Sequence, residues 1–265
     1  MTGSERLRAA FDARIAEGRH ALVPYFTGGD GGLESTEQVM EGLVEGGADI
    51  IELGVPFSDP TADGTTIQLA AERSLAGGTT VAGLLELVGR FSQKHDTPVV
   101  LFGYYNPFFR YGLDKFAQEA AAAGACGVLC VDLPPEEAEP FVTALRANGM
   151  ALIPLVTPVS GDDRIAAAAT LADAFGYYVS ATGVTGLSLS GRSSISERVA
   201  DVRSKLGAHL VVGFGVRTPE DAARMAQGAD GVVVGTALVE LAHSTPESQR
   251  RATVRDYFKG LRAAV

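Results

Sequence analysis

Short runs rich in Val, Ile, Leu and aromatic residues recur along the chain, separated by longer Ala-, Leu- and Glu-rich segments. The apolar runs span 21–27 (ALVPYFT), 48–54 (ADIIELG), 98–104 (PVVLFGY), 126–134 (CGVLCVDLP), 150–158 (MALIPLVTP), 175–181 (FGYYVSA), 209–215 (HLVVGFG) and 230–236 (DGVVVGT). Each is bounded by Gly, Pro or Asp, as strands are. Several are apolar at nearly every position, which suits parallel strands covered on both faces. The intervening segments, 35–46, 79–96, 113–123, 135–148, 162–173, 194–206, 218–227 and one from 237 onward, are long enough for crossover helices. Such a βα alternation, repeated eight times, predicts the α/β class and a closed (β/α)8 TIM barrel, with an open doubly wound sheet as the alternative.

Start and stop signals agree with this pattern. Ser35 with Gln38, Thr65 with Gln68 and Thr218 with Asp221 have the spacing of capping boxes, and the glycines of GGAD, AGACG and QGADG mark helix ends. Two segments exceed the bare barrel. In residues 4–17, Leu7, Phe11 and Ile15 form a helical stripe expected to cover the barrel's bottom; residues 65–76 predict an extra helix after the second strand. No linker or composition break interrupts the pattern, so a single domain over 1–265 is expected.

Composition narrows the function classes. Hydrophobic residues make up 46% and charged residues 20%, enough for a sizeable core. The net charge of −10 argues against nucleic acid, because phosphate neutralisation needs clustered cations. No apolar stretch is long enough to span a bilayer, and Glu5, Asp12 and Glu17 interrupt the region where a signal peptide would need its apolar core, so a cytoplasmic protein is expected. Cys126 and Cys130 would stand about 13 Å apart in one strand at ~3.3 Å per residue, too far to bridge. They read as buried small residues, and His20, His95, His209 and His243 show no metal spacing.

Barrel enzymes of this kind carry their chemistry at the C-terminal ends of the strands. Glu52 closes the second strand within ELGVPFSDPTADG, on the side opposite Ile51 and Leu53. Facing the interior, its carboxyl would be poorly solvated and able both to give and to take a proton near neutral pH; facing outward it would be an ordinary paired or solvated acid. The following loop is long and stiffened by Pro56 and Pro60, as binding loops are. Asp63 is either a helix N-cap or, if Thr65 and Gln68 cap that helix, free to accept a hydrogen bond from a ligand. Asp59 reads as exposed. Near the other end, GVTG (183–186), GFGV (213–216) and Gly235-Thr236 follow the sixth, seventh and eighth strands. Glycine-rich backbone at helix N-termini there can cradle a phosphate without any lysine. Residues 183–194, rich in Gly and Ser, suit either a mobile lid or a plain loop.

With these residues placed, the chain resembles the α subunit family of tryptophan synthase nearly end to end. The likeness rests on ELGVPFSDPxADG, on YNP (105–107), and on GVTG, GFGV and the Gly235-Thr236 pair in order. It implies a retro-aldol lyase that splits indole-3-glycerol phosphate into indole and glyceraldehyde 3-phosphate. It further implies Glu52 as the main acid/base, Asp63 as acceptor from the indole N–H, and Tyr177 as a tyrosine near the reacting groups. The phosphate site would comprise Thr185, Gly186, Gly213, Phe214, Gly215, Gly235 and Thr236. Phe26, Phe102 and Leu155 are candidate liners of the indole pocket. No cofactor is implied for this chain. Pyridoxal phosphate belongs to a partner β chain in an α2β2 complex, toward which Asp59 and the region of Asn106 would face. Ala181, Thr65 and Thr236 depart from the residues common in the family. A barrel isomerase or epimerase of phosphosugars would share the phosphate cradle but lack a reason for the Glu52 to Asp63 motif. A third alternative is a chiefly allosteric subunit with negligible turnover alone.

Overall fold

The computed structural model describes residues 1–179, 192–213 and 215–265, without the side chains of 192–195. Its strands are β1 (Ala21–Thr27), β2 (Ile51–Gly54), β3 (Val99–Gly103), β4 (Ala125–Cys130), β5 (Ala151–Ile153), β6 (Leu155–Val156), β7 (Phe175–Val179), β8 (His209–Gly213) and β9 (Gly231–Val234). The helices are α1 (Gly3–Ala16), α2 (Leu33–Glu45), α3 (Thr65–Ala76), α4 (Val81–Ser92), α5 (Tyr105–Tyr111), α6 (Leu113–Ala122), α7 (Glu139–Ala147), α8 (Asp162–Ala169), α9 (Arg192–Leu206), α10 (Pro219–Met225), α11 (Thr236–Ser244) and α12 (Glu247–Arg262).

All pairings are parallel, in the order β5-β4-β3-β2-β1-β9-β8-β7-β6. The two ends of this order, β5 and β6, are consecutive in the chain and separated only by Pro154. Proline has no N–H to give a ladder, so the expected fifth strand is broken there into two. Ile153 still pairs with Leu129 on one side and Leu155 with Tyr177 on the other, and the Pro154 carbonyl accepts the Tyr177 N–H at 2.9 Å. The sheet is therefore a barrel with eight staves, one of them kinked, and the doubly wound alternative falls away.

Strand alternation sorts the side chains. Val156, Tyr178, Leu210 and Val212 pack outward against Ile165 and Ala168 of α8 and Val199, Val202 and Leu206 of α9. Leu53 likewise faces Leu84 of α4 across Gly28. Their strand neighbours Leu155, Tyr177, Val211, Gly213 and Glu52 consequently point into the barrel.

At the N-terminal face α1 acts as the expected cover. Leu7 and Phe11 are fully buried, and the Phe11 ring lies 5.1 Å from Phe175 and 5.0 Å from His209. Ile15, the third member of the expected stripe, is 41% exposed, because only two turns of α1 reach the strand ends.

Three local expectations need correction. Ser35 does not cap its helix: α2 starts two residues earlier, from Gly32 at φ 97°, a conformation glycine adopts without strain. Thr65 and Gln68 form no capping box either; α3 begins at Thr65 with Gly64 as an N-cap, and Gln68 Nε2 instead donates to the Asp63 carbonyl at 2.8 Å. The final helical stretch is two helices, since Pro246 holds Thr245 in extended backbone between α11 and α12. The Thr218 and Asp221 box forms as expected, and Gly47, Gly124 and Gly228 end their helices at positive φ. Among the described residues, no helix is long and apolar enough to cross a membrane.

Candidate active site

β2 delivers Glu52 to the barrel interior one residue before the outward-facing Leu53. The side chain is fully buried, and neither carboxyl oxygen has a hydrogen-bond partner among the described residues. Burial alone pushes this carboxyl well above the usual carboxylate range, so it holds a proton at a pH where a surface Glu would not. An uncharged acid in an apolar wall can donate a proton, and once ionised it becomes an unusually strong base.

Directly beside it in the sheet, Tyr25 pairs with Glu52 between β1 and β2. Its ring meets Phe102 edge-on at 4.8 Å, and Phe102 in turn meets Tyr177 at 6.4 Å. Tyr25 is buried and Tyr177 partly buried, and both phenols are raised by desolvation, with the charges of Glu52 and Asp63 adding to the effect. Room for these rings comes from glycines. A Cβ at Gly54 would lie 2.6 Å from the Tyr25 hydroxyl, and one at Gly213 would lie 1.9 Å from the Tyr177 hydroxyl. Gly213, expected only to bring backbone near a phosphate, thus has a second duty in letting Tyr177 cross the barrel mouth.

The loop between β2 and α3 lowers Asp63 toward the same space. Its carboxyl is pushed up to about 6 by burial, a rise partly opposed by the nearby Tyr104 hydroxyl. The Tyr104 hydroxyl also accepts the Ala62 N–H at 3.0 Å, and its ring packs on Phe57 at 5.3 Å. Because Gly64 occupies the N-cap of α3, Asp63 is left to face the mouth. Asp59 stands exposed further out on the loop, hydrogen-bonded to Ser58.

Sequence reasoning therefore named Glu52, Asp63, Tyr177, Phe102 and Leu155, and the fold brings all five to one end of the barrel. Phe26 is not among them: it sits on the other face of β1 from Tyr25, beside Val39 of α2 and Val239 of α11. Tyr25 takes the place expected for it. No alternation signal distinguished the two, since every residue of ALVPYFT is buried. Tyr104 was also missed, as one of two adjacent tyrosines ahead of Asn106 and Pro107.

On the phosphate side, Gly235 is the N-cap of α11 and Thr236 its first residue, and no side chain caps that end. Gly215 has φ 70°, and among the described residues no atom lies within 4 Å of where a Cβ would stand. Thr185, Gly186 and Phe214 lie outside the described residues, as do Ala181 and 183–191 of the expected lid; residues 192–194 open α9.

The opposite face offers a cleft of about 660 Å³ lined by Arg8, Asp173, Arg203, His209 and Asp230. Its charged groups are already engaged, Arg203 with Asp230 at 2.7 Å, His209 with Asp12 at 3.0 Å and Arg8 with the Asp173 carbonyl at 2.6 Å, which reads as structural support.

Comparisons with known proteins agree with this geometry. The family model described as tryptophan synthase alpha chain matches residues 11–263. The tryptophan synthase alpha chain of Geobacter sulfurreducens is 46% identical over 260 residues, covering 98% of each chain. Tryptophan synthase subunit alpha from Legionella pneumophila superimposes with a TM-score of 0.91 at 36% identity, covering 100% of this chain and 98% of its own. A crystal structure of the tryptophan synthase complex from Pyrococcus furiosus contains a chain with a TM-score of 0.82 and 34% identity, covering 91% of this chain and 97% of that one.

Proposed function

The chain belongs to the tryptophan synthase alpha chain family, and from that membership we propose how its own residues cleave indole-3-glycerol phosphate to indole and glyceraldehyde 3-phosphate. The reaction breaks the bond between the indole ring carbon and the side chain. The electron pair stays on the ring carbon, which gains a proton, while the side-chain hydroxyl loses its proton as an aldehyde forms.

Glu52 is the proton carrier. It meets both demands because its carboxyl is neutral before the step and strongly basic after giving up its proton. Protonating the ring carbon places positive charge on the ring nitrogen. Asp63, ionised and accepting from the indole N–H, stabilises that charge. Tyr25, Phe102, Leu155 and Tyr177 form the wall against which the ring lies, with Tyr177 close enough in the same layer to share the handling of the hydroxyl proton. The uncapped start of α11 at Gly235 and Thr236, together with Gly213 and Gly215, offers N–H groups to the phosphate.

The single observation that carries this reading is the pair of buried carboxyl oxygens on Glu52 with no partner among the described residues. A purely structural Glu at that depth would be paired, since a lone buried carboxyl costs several kcal/mol when ionised.

No cofactor is required of this chain for the step; pyridoxal phosphate belongs to the partner β chain that receives indole in an α2β2 complex. Asp59 and Asn106, both exposed at the catalytic end, would face that partner, and Phe109, one turn from Asn106 on α5, is 58% exposed. We place the whole of 1–265 in one barrel domain working in the cytoplasm.

The direct test incubates the purified chain with indole-3-glycerol phosphate, alone and with a β chain, and follows indole. Glu52→Gln should fold normally and lose at least ~10²-fold in turnover, the usual scale of general acid–base catalysis. Substantial residual turnover in a correctly folded variant would show that Glu52 is not the proton carrier.

A further inference from the structure

Glu240 stands on α11 one turn past the Gly235 and Thr236 start of that helix. Helical side chains tilt toward the N-terminus, so its carboxyl lies back toward that start. Two other segments of the barrel mouth meet it there. Arg217, two residues past Gly215, forks onto the carboxylate, Nη1 donating to Oε2 at 2.8 Å and Nη2 to Oε1 at 3.3 Å. Thr66, in the first turn of α3 and three residues past Asp63, donates its hydroxyl to Oε1 at 3.2 Å.

The backbone behind each arm is itself held. The Arg217 N–H donates to the Asp221 carboxylate at 3.2 Å and the Arg217 carbonyl accepts the Tyr257 hydroxyl at 2.8 Å, which fixes this residue from α10 and α12. α3 packs against α11. Both members of the ion pair are partly exposed, where such a pair adds little to folding. A forked guanidinium nevertheless fixes orientation. One carboxylate thereby joins α11, the β8–α10 loop and α3, segments that lie far apart in the sequence.

We propose that Glu240 is a positioning residue for the lyase reaction: it ties the two halves of the phosphate cradle to each other and to the acid loop, setting the distance from bound phosphate to Asp63. This rests on the reading that Gly213, Gly215, Gly235 and Thr236 hold the phosphate and that Asp63 accepts from the indole N–H.

The two arms have separate consequences. Thr66 links the cradle to the acid loop, and misplacing a reacting group costs rate without weakening a ligand that does not reach it. Thr66→Val deletes the hydroxyl at nearly constant shape. With the chain in complex with a β chain, it should lower kcat for indole-3-glycerol phosphate by roughly three- to thirtyfold, the range of couplings carried by side-chain networks. The inhibition constant of glyceraldehyde 3-phosphate, which carries the phosphate without the ring, should not change. Thr66→Ser keeps the hydroxyl and should restore kcat. Arg217 links the cradle halves, so Arg217→Gln should raise KM and that inhibition constant together. Glu240→Ala should show both changes, and adding Thr66→Val to it should do nothing more, because the shared acceptor is already gone. Urea midpoints check that each variant is folded.

An unchanged kcat in Thr66→Val, a loss that Thr66→Ser shares, or additive losses in the double variant would each overturn the proposal. So would tighter binding of glyceraldehyde 3-phosphate to Glu240→Ala, which would mean that the carboxylate only repels the phosphate. Asp63→Asn separates this inference from the reading beneath it. If Asp63→Asn keeps full turnover, the reading of Asp63 fails and the inference with it. If it abolishes turnover while Thr66→Val and Glu240→Ala behave as wild type, the bridge alone fails.

Discussion

Glu52 is held where burial works against its charge, and the fold bears that burden in exchange for a proton carrier. The sign of the consequence follows from which state keeps its proton. Below about pH 4.5, the ordinary value for this side chain, the carboxyl is protonated in both folded and unfolded chains. As the pH rises, the unfolded chain releases its proton first, so the folded state loses stability by about 1.4 kcal/mol per pH unit until the folded carboxyl also ionises. Glu52→Gln is free of that penalty. Urea unfolding should show the variant more stable than wild type at pH 8, with the difference shrinking toward pH 5; a constant difference would mean that Glu52 is not a buried acid. The position of this residue was legible because it closes a strand ahead of a stiff loop. Tyr25 was not, because a strand apolar on both faces does not announce which side chain points inward.

Elements set how the site is supported. Pro154 splits one stave, and the sheet closes only because the halves pair with different neighbours. α5 was absent from the sequence pattern: its seven residues begin Tyr-Asn-Pro, which reads as a turn, yet proline in a first turn gives up no helical hydrogen bond, and Asp132 accepts the Tyr105 N–H at 2.7 Å. α1, by contrast, was announced by its spacing, although its Ile15 falls beyond the barrel. Phe11 is the anchor of that helix and sits at the end of the barrel away from Glu52. Phe11→Ala should destabilise the protein by about 3–5 kcal/mol. KM and kcat measured well below the new melting temperature should stay within about twofold, because nothing in α1 lines the mouth. A selective loss of kcat would instead tie the N-terminal helix to the chemistry.

For the whole molecule, closure depends on two aspartates that end the GGAD and QGAD segments. The Asp49 N–H donates to the Leu22 carbonyl at 2.9 Å, and the Asp49 side chain accepts the Leu22 N–H at 2.8 Å. The same carboxylate pairs with Arg14 of α1 and Arg262 of α12, both at 2.6 Å, so the first and last helices are tied to one buried charge. Asp230 repeats the arrangement on the other side, accepting from Leu210 at 3.0 Å and pairing with Arg203. Asp49→Ala would strand the largely buried Arg262 guanidinium, whose charged form burial already disfavours. Removing one partner of such a pair should cost about 3–5 kcal/mol, read as a lower urea midpoint. Loss below about 1 kcal/mol, the range of an exposed pair, would show that α12 is held by its packing on α2 alone.

Period and punctuation along the chain determined the βα alternation, the extra helices before the first strand and after the second, and the strand-end position of Glu52. Those properties are local: they follow from side-chain spacing and from where Gly, Pro and Asp stop an element. Tertiary structure alone decided which of Tyr25 and Phe26 faces inward, that Gly54 and Gly213 are vacant to admit tyrosine rings, and that the Tyr104 hydroxyl reaches the Ala62 N–H of the acid loop. These relations join residues on different strands, and their outcome depends on barrel register and on volumes summed across the interior. Buried strands carry no polar alternation from which that register could be read.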